Sequence, residues 1–137
     1  MATSIKTIDK NVCFVTSEVK TARAYVNRDL VSFHKQPYCC LNATVFEKCG
    51  IYPGMYARYM YIDHERREIT IAIRKDRPNW ETSKWYKICE PMTSRNRRYC
   101  YIRTTNLLFD FNIMLLGCFE YDIKDDNPQV KFITIHY

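Results

Sequence analysis

The stretch KCGIYPGMY, from Lys48 to Tyr56, contains two of the three glycines in this chain of 137 residues. Glycine tolerates a positive φ, and it is the usual residue just after the C-terminus of a helix. Upstream, in LNATVFEKCG, Asn42 can cap a helix N-terminus by accepting from an unpaired backbone N–H. One face of that helix would carry the apolar residues Val45, Phe46 and Cys49. The pattern predicts a short helix from 42 to 49 that ends at Gly50.

A tight turn and a β-hairpin are predicted to follow this helix. Pro53-Gly54 suits the centre of a type II turn, because the second central residue of that turn needs a positive φ. MYARYMYID is rich in aromatic residues and alternates as a strand does. HERR then turns the chain into EITIAIR, a strand whose isoleucines share one face. In this unit of helix, turn and hairpin, Gly50 therefore ends the helix and Gly54 lies in the turn.

Composition indicates one folded, soluble domain over residues 1–137. Hydrophobic residues make up 47% of the chain and charged residues 26%, and no apolar run is long enough for a transmembrane helix. The polar start MATSIKTIDK does not resemble a signal peptide. We expect a cytoplasmic protein, in the host cytoplasm if the source is a virus, with no membrane partner. The net charge of +6 favours an acidic partner such as nucleic acid.

The cysteines predict thiols rather than disulfides or a metal site. Their number is odd, at seven, and no CxxC pair occurs among them. The three histidines offer little from which to build a zinc site. No phosphate-binding loop or nucleophile elbow occurs either. We therefore expect no disulfide, no metal, no cofactor and no enzymatic activity.

An internal repeat is predicted at an offset of 62 residues. LNATVFEKCGIYPGMYARYMYIDHERREITIAI then aligns without a gap on RTTNLLFDFNIMLLGCFEYDIKDDNPQVKFITI. Gly50 falls on Asn112, which is the second-best residue for a left-handed helix stop, and Asn42 falls on cap-competent Thr104. The Pro53-Gly54 turn has no counterpart, so the second copy must turn differently near Leu115 to Gly117.

The predicted fold is mostly β with two short helices, an α+β class in which two tandem units form a small barrel-like domain. Each unit is a hairpin, a short helix and a second hairpin. The first unit spans 21–74, the second 85–137, and the polar segment 75–84 links them. Residues 1–20 lie outside the repeat, and NVCFVTSEV within them is expected to add one edge strand.

The first unit resembles a known family. TVFEKCGIYPGMYARYMYIDHERREITIAI, with a short helix ending in Gly-Ile, then x-Pro-Gly and a hairpin, is similar to the swapped-hairpin unit of AbrB/MazE proteins. A tandem pair in one chain resembles the arrangement in MraZ-type proteins. Members of this family are mostly DNA-binding regulators whose hairpins interleave to close one barrel. The resemblance therefore implies a DNA-binding regulator. A homo-oligomer is expected as well, because edge strands such as residues 11–19 need cover.

The residues that suggest binding lie in RNRRYCYIR. In a strand, Arg95, Arg97, Tyr99, Tyr101 and Arg103 share one face, while Arg98, Cys100 and Ile102 take the other. Guanidinium groups pair with phosphates, and tyrosines can stack on bases or sugars. The corresponding basic residues of the first unit are His34 and Lys35. The alternative is a solvated strand face whose tyrosines pack on neighbouring strands.

The sequence is compatible with three functions. The first is non-enzymatic binding of duplex DNA, in a transcriptional regulator. The second is binding and inhibition of a host protein by a phage or viral protein, because eleven tyrosines also suit a protein interface. The third is binding of single-stranded nucleic acid through the same arginines and tyrosines.

Overall fold

The computed structural model describes residues 3–9, 12–17, 28–35, 37–79, 84–90 and 99–137, with the backbone alone along 3–9. Ten strands and two helices make up this part of the chain. The first seven elements are β1 (Thr3–Asp9), β2 (Val12–Ser17), β3 (Val31–Phe33), β4 (Tyr38–Asn42), α1 (Ala43–Cys49), β5 (Tyr56–Asp63) and β6 (Glu68–Arg74). The last five are β7 (Tyr86–Lys87), β8 (Tyr99–Arg103), α2 (Thr105–Phe111), β9 (Ile113–Lys124) and β10 (Lys131–His136). The predicted class, mostly β with two short helices, is confirmed.

The strands form one sheet that curls into a nearly closed barrel. Their order is β7-β5-β6-β10-β9-β3-β4-β8. The two ends of this order meet where Cys89, just after β7, pairs with Tyr101 of β8. Their backbone groups exchange two hydrogen bonds, of 3.0 and 2.8 Å. Closure removes two exposed strand edges, which would otherwise template pairing with other chains.

The two halves of the chain contribute interleaved strands to this barrel. β3, from the first half, pairs with β9 of the second half, and β7, from the second half, pairs with β5 of the first. The elements β3-β4-α1-β5-β6 and β7-β8-α2-β9-β10 follow the same order. The internal repeat itself stays a prediction. Residues 21–27 and 36 of its first unit, 91–98 of its second unit and 80–83 of the linker lie outside the described part.

Both predicted helix stops are confirmed. Gly50 has φ 65° and ψ 38°, and Asn112 has φ 55° and ψ 39°, so both lie in the left-handed region. The two N-termini differ. The side chain of Asn42 accepts from the backbone N–H of Val45 at 3.1 Å, whereas Thr104 makes no such bond. Thr104 has φ −108° and ψ 9°, and its carbonyl accepts from Leu107 at 2.9 Å instead, so the predicted equivalence of the two caps is wrong.

The segments after the two helices also differ. Gly54 has φ 97°, and the N–H of Met55 donates to the carbonyl of Tyr52 at 3.2 Å, which confirms the predicted turn. In the second half the expected turn near Gly117 is absent, because β9 runs without interruption through that segment. The start of β9 pairs in parallel with β2, and Gly117 then pairs with Phe33 of β3, so strand partners hold the backbone extended.

The N-terminal segment joins the sheet in a way that the sequence did not indicate. The predicted edge strand, β2, lies between β1 and β9 instead of at the edge. Its pairing with β9 is parallel, whereas every other strand pair of the described sheet is antiparallel. β1 takes the edge position.

The core of the barrel is aliphatic. The isoleucines of β6 are buried as predicted, and Ile71 lies directly opposite Ile133 of β10, each about 1% exposed. Ile69 pairs with Ile135 in the same register. Within the described part of the chain, no helix has the length and apolar character needed to cross a membrane.

Candidate nucleic-acid interface

About half of the predicted binding segment, residues 99–103, lies in the described part of the chain. Arg95, Arg97 and Arg98 lie outside the described residues. Tyr99, Tyr101 and Arg103 belong to β8, where Cys100 and Ile102 between them are fully buried. The predicted alternation is therefore confirmed over 99–103, since the two tyrosines are half-buried and Arg103 is exposed.

Tyr101 is fixed by its neighbours. Its ring lies against that of Tyr38 on β4, with centroids 4.6 Å apart, and its backbone closes the barrel with Cys89. Tyr38 is also the partner of Arg103 in the register of β4 and β8. One of the two uses considered for the tyrosines, packing across neighbouring strands, thus applies to Tyr101.

His34 and Lys35 lie in the turn between β3 and β4, next to the same strand. The N–H of His34 donates to the carbonyl of Tyr38 at 3.2 Å, and its Nε2 lies 3.0 Å from Oγ of Ser32. Burial lowers the pKa of His34 below its ordinary value of 6.5, because desolvation disfavours the charged ring. His34 is therefore neutral at pH 7, and Lys35 supplies the charge of this turn.

A second group of cations, which the sequence did not indicate, lies on the outside of the barrel. Lys87, Tyr56 and Arg74 form one row across β7, β5 and β6, because Tyr56 is the register partner of both other residues. Ala57 and Ile73, the neighbours of Tyr56 and Arg74 in their strands, are fully buried. The row therefore faces away from the core.

Two arginines at this row lie over aromatic rings. The guanidinium carbon of Arg77 is 5.9 Å from the centre of the Tyr56 ring, and that of Arg74 is 6.0 Å from the centre of the Trp85 ring. The indole itself is only 6% exposed, so it forms a rigid base for Arg74. We call these five residues the cationic face: Tyr56, Arg74, Arg77, Trp85 and Lys87.

The cations of this face have no acidic partners among the described residues. Neither a salt bridge nor a side-chain hydrogen bond to Arg74, Arg77 or Lys87 occurs in this part of the chain, and Nε of Arg74 is buried without an acceptor. Two cations elsewhere on the barrel do have acidic partners: Lys48 lies 2.6 Å from Asp29, and Lys131 lies 2.8 Å from Asp125. The cations of the cationic face are therefore not held in ion pairs by the described residues.

The cationic face is continuous with the predicted segment on β8. Cys89 lies two residues after Lys87, on the same side of the chain, and pairs with Tyr101. Arg103 follows on the same side of β8. Part of the predicted site thus belongs to one outer surface that runs from β8 over β7 and β5 to β6.

A sequence signal for the cationic face existed in RKDRPNW, from Arg74 to Trp80, which is basic and contains a tryptophan. Its residues 75–80 belong to the predicted linker 75–84, because a proline and polar residues are typical of a linker. The ring partners of its arginines come from other parts of the chain, and only the barrel brings them together.

The described residues do not suggest covalent or metal chemistry. No group of three or more His, Cys, Asp or Glu side chains in this part of the chain is placed to hold a metal ion. All seven cysteines belong to the described part and are present as thiols. Burial raises the pKa of Cys40 and Cys100 to about 12 and that of Cys118 to about 11, so these thiols are not nucleophilic at neutral pH.

No protein-family model, curated protein or solved structure matches this chain. The resemblance to the AbrB/MazE unit consequently stays a prediction.

Proposed function

We propose that this protein binds duplex DNA without catalysing a reaction, and that the cationic face contacts the phosphate backbone. The observation that carries the proposal is the placement of Arg74 and Arg77 on aromatic rings, without a carboxylate partner in the described part of the chain. Three exposed cations lie on or near this surface. Lys87 belongs to β7, Arg103 is the last residue of β8, and Lys35 lies in the turn between β3 and β4.

Ring-supported arginines are well suited to bind phosphates. A guanidinium is always charged near pH 7, and its planar donors match the oxygens of a phosphate. The contact with Trp85 also restricts the rotamers of Arg74 before binding, so less side-chain entropy is lost when a phosphate is bound. A cation already paired with a carboxylate would have to lose that partner first.

The same geometry favours duplex over single-stranded nucleic acid. Single-strand binders need exposed aromatic faces on which unpaired bases can stack. Here Arg77 covers Tyr56, Arg74 lies over the buried Trp85, and Tyr101 packs against Tyr38. Phosphate contacts, which do not require free rings, are therefore the better use of this surface. The resemblance to AbrB-type proteins adds regulation of transcription to the proposal.

The proposal is tested by measuring duplex binding as a function of salt. Log affinity should fall by about 0.9 per phosphate contact for each tenfold rise in salt. The double variant Arg74→Ala/Arg77→Ala should lower that slope by about 1.8, and the affinity at low salt should fall about tenfold or more.

A matched control removes two exposed cations elsewhere. Arg66 and Lys124 lie at hairpin ends, each 3.9 Å from an aspartate, and Arg66→Ala/Lys124→Ala changes the net charge by the same amount. This control should leave the slope nearly unchanged. Equal losses for both double variants, or no binding of DNA at low salt by micromolar protein, would refute the proposal.

A further inference from the structure

An apolar pocket lies on another side of the barrel, between the β3–β4 turn, α2 and the start of β9. Its volume is about 120 Å³. Its apolar lining includes Phe33, Pro37, Leu107, Leu108, Ile113 and Leu115. A cavity of about 150 Å³ holds a benzene molecule, so this pocket is close to the size of one phenyl ring.

Apolar side chains surround the mouth of the pocket. Phe109 of α2 is 75% exposed, the highest value among the large hydrophobic residues of the described part, and Met114 is 38% exposed. Phe14 of β2 lies beside Met114 in the parallel register of β2 and β9. Exposed apolar groups that cluster at a cavity mark interaction surfaces more often than scattered ones do.

The fold does not require a phenylalanine at position 109. At the offset that superimposes α1 on α2 in sequence, Phe109 corresponds to Glu47, which is exposed on α1. Helix α1, which has the same length as α2, therefore forms with a charged residue at this place. The packing of α2 consequently does not explain why the exposed residue at this place is Phe109.

We propose that two copies of this chain associate through this face, with Phe109 of each copy entering the pocket of the other. A two-fold interface requires that one surface carry both a projecting group and the cavity that receives it, and this face carries both. The charges are also self-complementary, since exposed Lys35 lines the pocket and exposed Asp110 follows Phe109. In the dimer, Lys35 of one copy faces Asp110 of the other.

This inference does not rest on the cationic face, to which none of its residues belongs. Lys35 is also one of the exposed cations in the DNA-binding proposal, so the variant that separates the two proposals is Phe109→Glu, which removes no cation. It is tested by sedimentation velocity of the whole chain from about 1 to about 200 µM, a range that covers ordinary dimer affinities. The wild type should change from monomer to dimer within this range. Phe109→Glu, which copies the residue of α1, should weaken the dimer roughly thirtyfold, as loss of a buried aromatic anchor does.

The control is Tyr61→Glu, a charge placed at another exposed aromatic residue, on β5, which should leave the dimer unchanged. Lys35→Glu and Asp110→Lys should each weaken the dimer, and the double variant should restore it, because the pair is re-formed across the two-fold axis. Circular dichroism must first show that each variant is folded.

Three outcomes would overturn the proposal. One is a wild type that stays monomeric at the highest concentration, even if it binds another protein at this pocket. Another is a folded Phe109→Glu variant that dimerises as the wild type does. The third is a charge-exchanged double variant that is no better than either single variant.

Discussion

The hairpins β5–β6 and β9–β10 share their inner faces but not their outer ones. Inside the barrel, Ile71 packs opposite Ile133, and the other isoleucines of β6 and β10 are buried as well, whereas Ile62 of β5 and Ile123 of β9 are only partly buried. Outside, Arg74 of the first hairpin corresponds by offset to His136 of the second. His136 lies 2.5 Å from Asp122 and 3.8 Å from Glu68, whereas Arg74 lies over an indole and has no acidic partner in the described part of the chain.

This difference distinguishes the positions whose side chains the fold requires from the positions whose side chains can vary. The inner isoleucines must match, because both hairpins close the same core. The outer positions contribute little to stability, so His136 can lie beside two carboxylates while Arg74 has no acidic partner in the described part of the chain. The proposed DNA contact accordingly includes the outer side of the first hairpin, at Arg74.

The largest effect is expected where the two hairpins are equivalent. Ile71→Ala and Ile133→Ala each remove a buried side chain at the same point of contact, and each should lower the free energy of unfolding by about 2–5 kcal/mol. Urea denaturation of both variants measures this. Because the residues touch, the double variant should lose less than the sum of the two. A cost at one position several times that at the other would show that the hairpins are not equivalent.

The helix stops should respond unequally. Gly50→Ala forces a side chain into a left-handed conformation, and the new Cβ would lie 3.0 Å from Nζ of Lys131. We expect a loss of about 1–2 kcal/mol. Asn112→Gly keeps the left-handed conformation accessible and should change the stability by less than about 0.5 kcal/mol. Thermal melting of both variants checks this, and equal costs would contradict it.

The two helix N-termini provide a smaller contrast. Asn42→Ala removes the bond to Val45 and a second bond, of 2.8 Å, from the side chain to the carbonyl of Arg28. This substitution should lower the free energy of unfolding by about 1 kcal/mol or somewhat more. Thr104→Ala removes no capping bond and should cost close to nothing. Chemical denaturation distinguishes the two, and a Thr104 variant as unstable as the Asn42 variant would be inconsistent with the observed caps.

The smallest expected effect is a loss of folding stability at acidic pH. Lys48 in particular, and also Tyr121, donates a hydrogen bond to Asp29, which lowers the pKa of that carboxyl below its ordinary value of 3.8. Because the folded form holds the proton less tightly than the unfolded form does, this stabilisation is complete above the ordinary pKa. It is lost as the pH falls through the folded pKa.

We expect only a small loss of stability, since the ion pair is exposed. Asp29→Asn should remove that part of the acid response in a titration of stability between about pH 5 and pH 2. An unchanged acid response in this variant would assign the effect to other carboxyl groups. In the second half the residue that corresponds to Lys48 is Asp110, so no equivalent pair exists there.

Local features of the fold could be predicted from the sequence. Gly50 and Asn112 end helices because few residues accept a left-handed conformation, and that preference does not depend on distant contacts. The β5–β6 hairpin follows from alternation and from a turn-forming tetrapeptide. The face of β8 could be assigned from residues 99 to 103 for the same reason.

Features that depend on distant contacts could not be predicted. Nothing near β2 shows that its partner is β9, and the start of β9 stays extended because β2 pairs with it. The cationic face draws residues from three strands and from the segment after β6, and their adjacency exists only in the closed barrel. The sequence shows the individual charges, but it does not show which of them form ion pairs in the folded barrel.

The parallel pairing of β2 with β9 has a consequence for the order of synthesis. The β1–β2 hairpin leaves the ribosome before the other elements described here, yet Cys13 must wait for Ile113 before it can pair. At ordinary translation rates this delay is roughly 5–20 seconds. Val15, fully buried in the finished barrel, stays uncovered by β9 during that time. A nascent chain stalled before α2 should therefore present this hairpin to chaperones, and one stalled well after β9 should not.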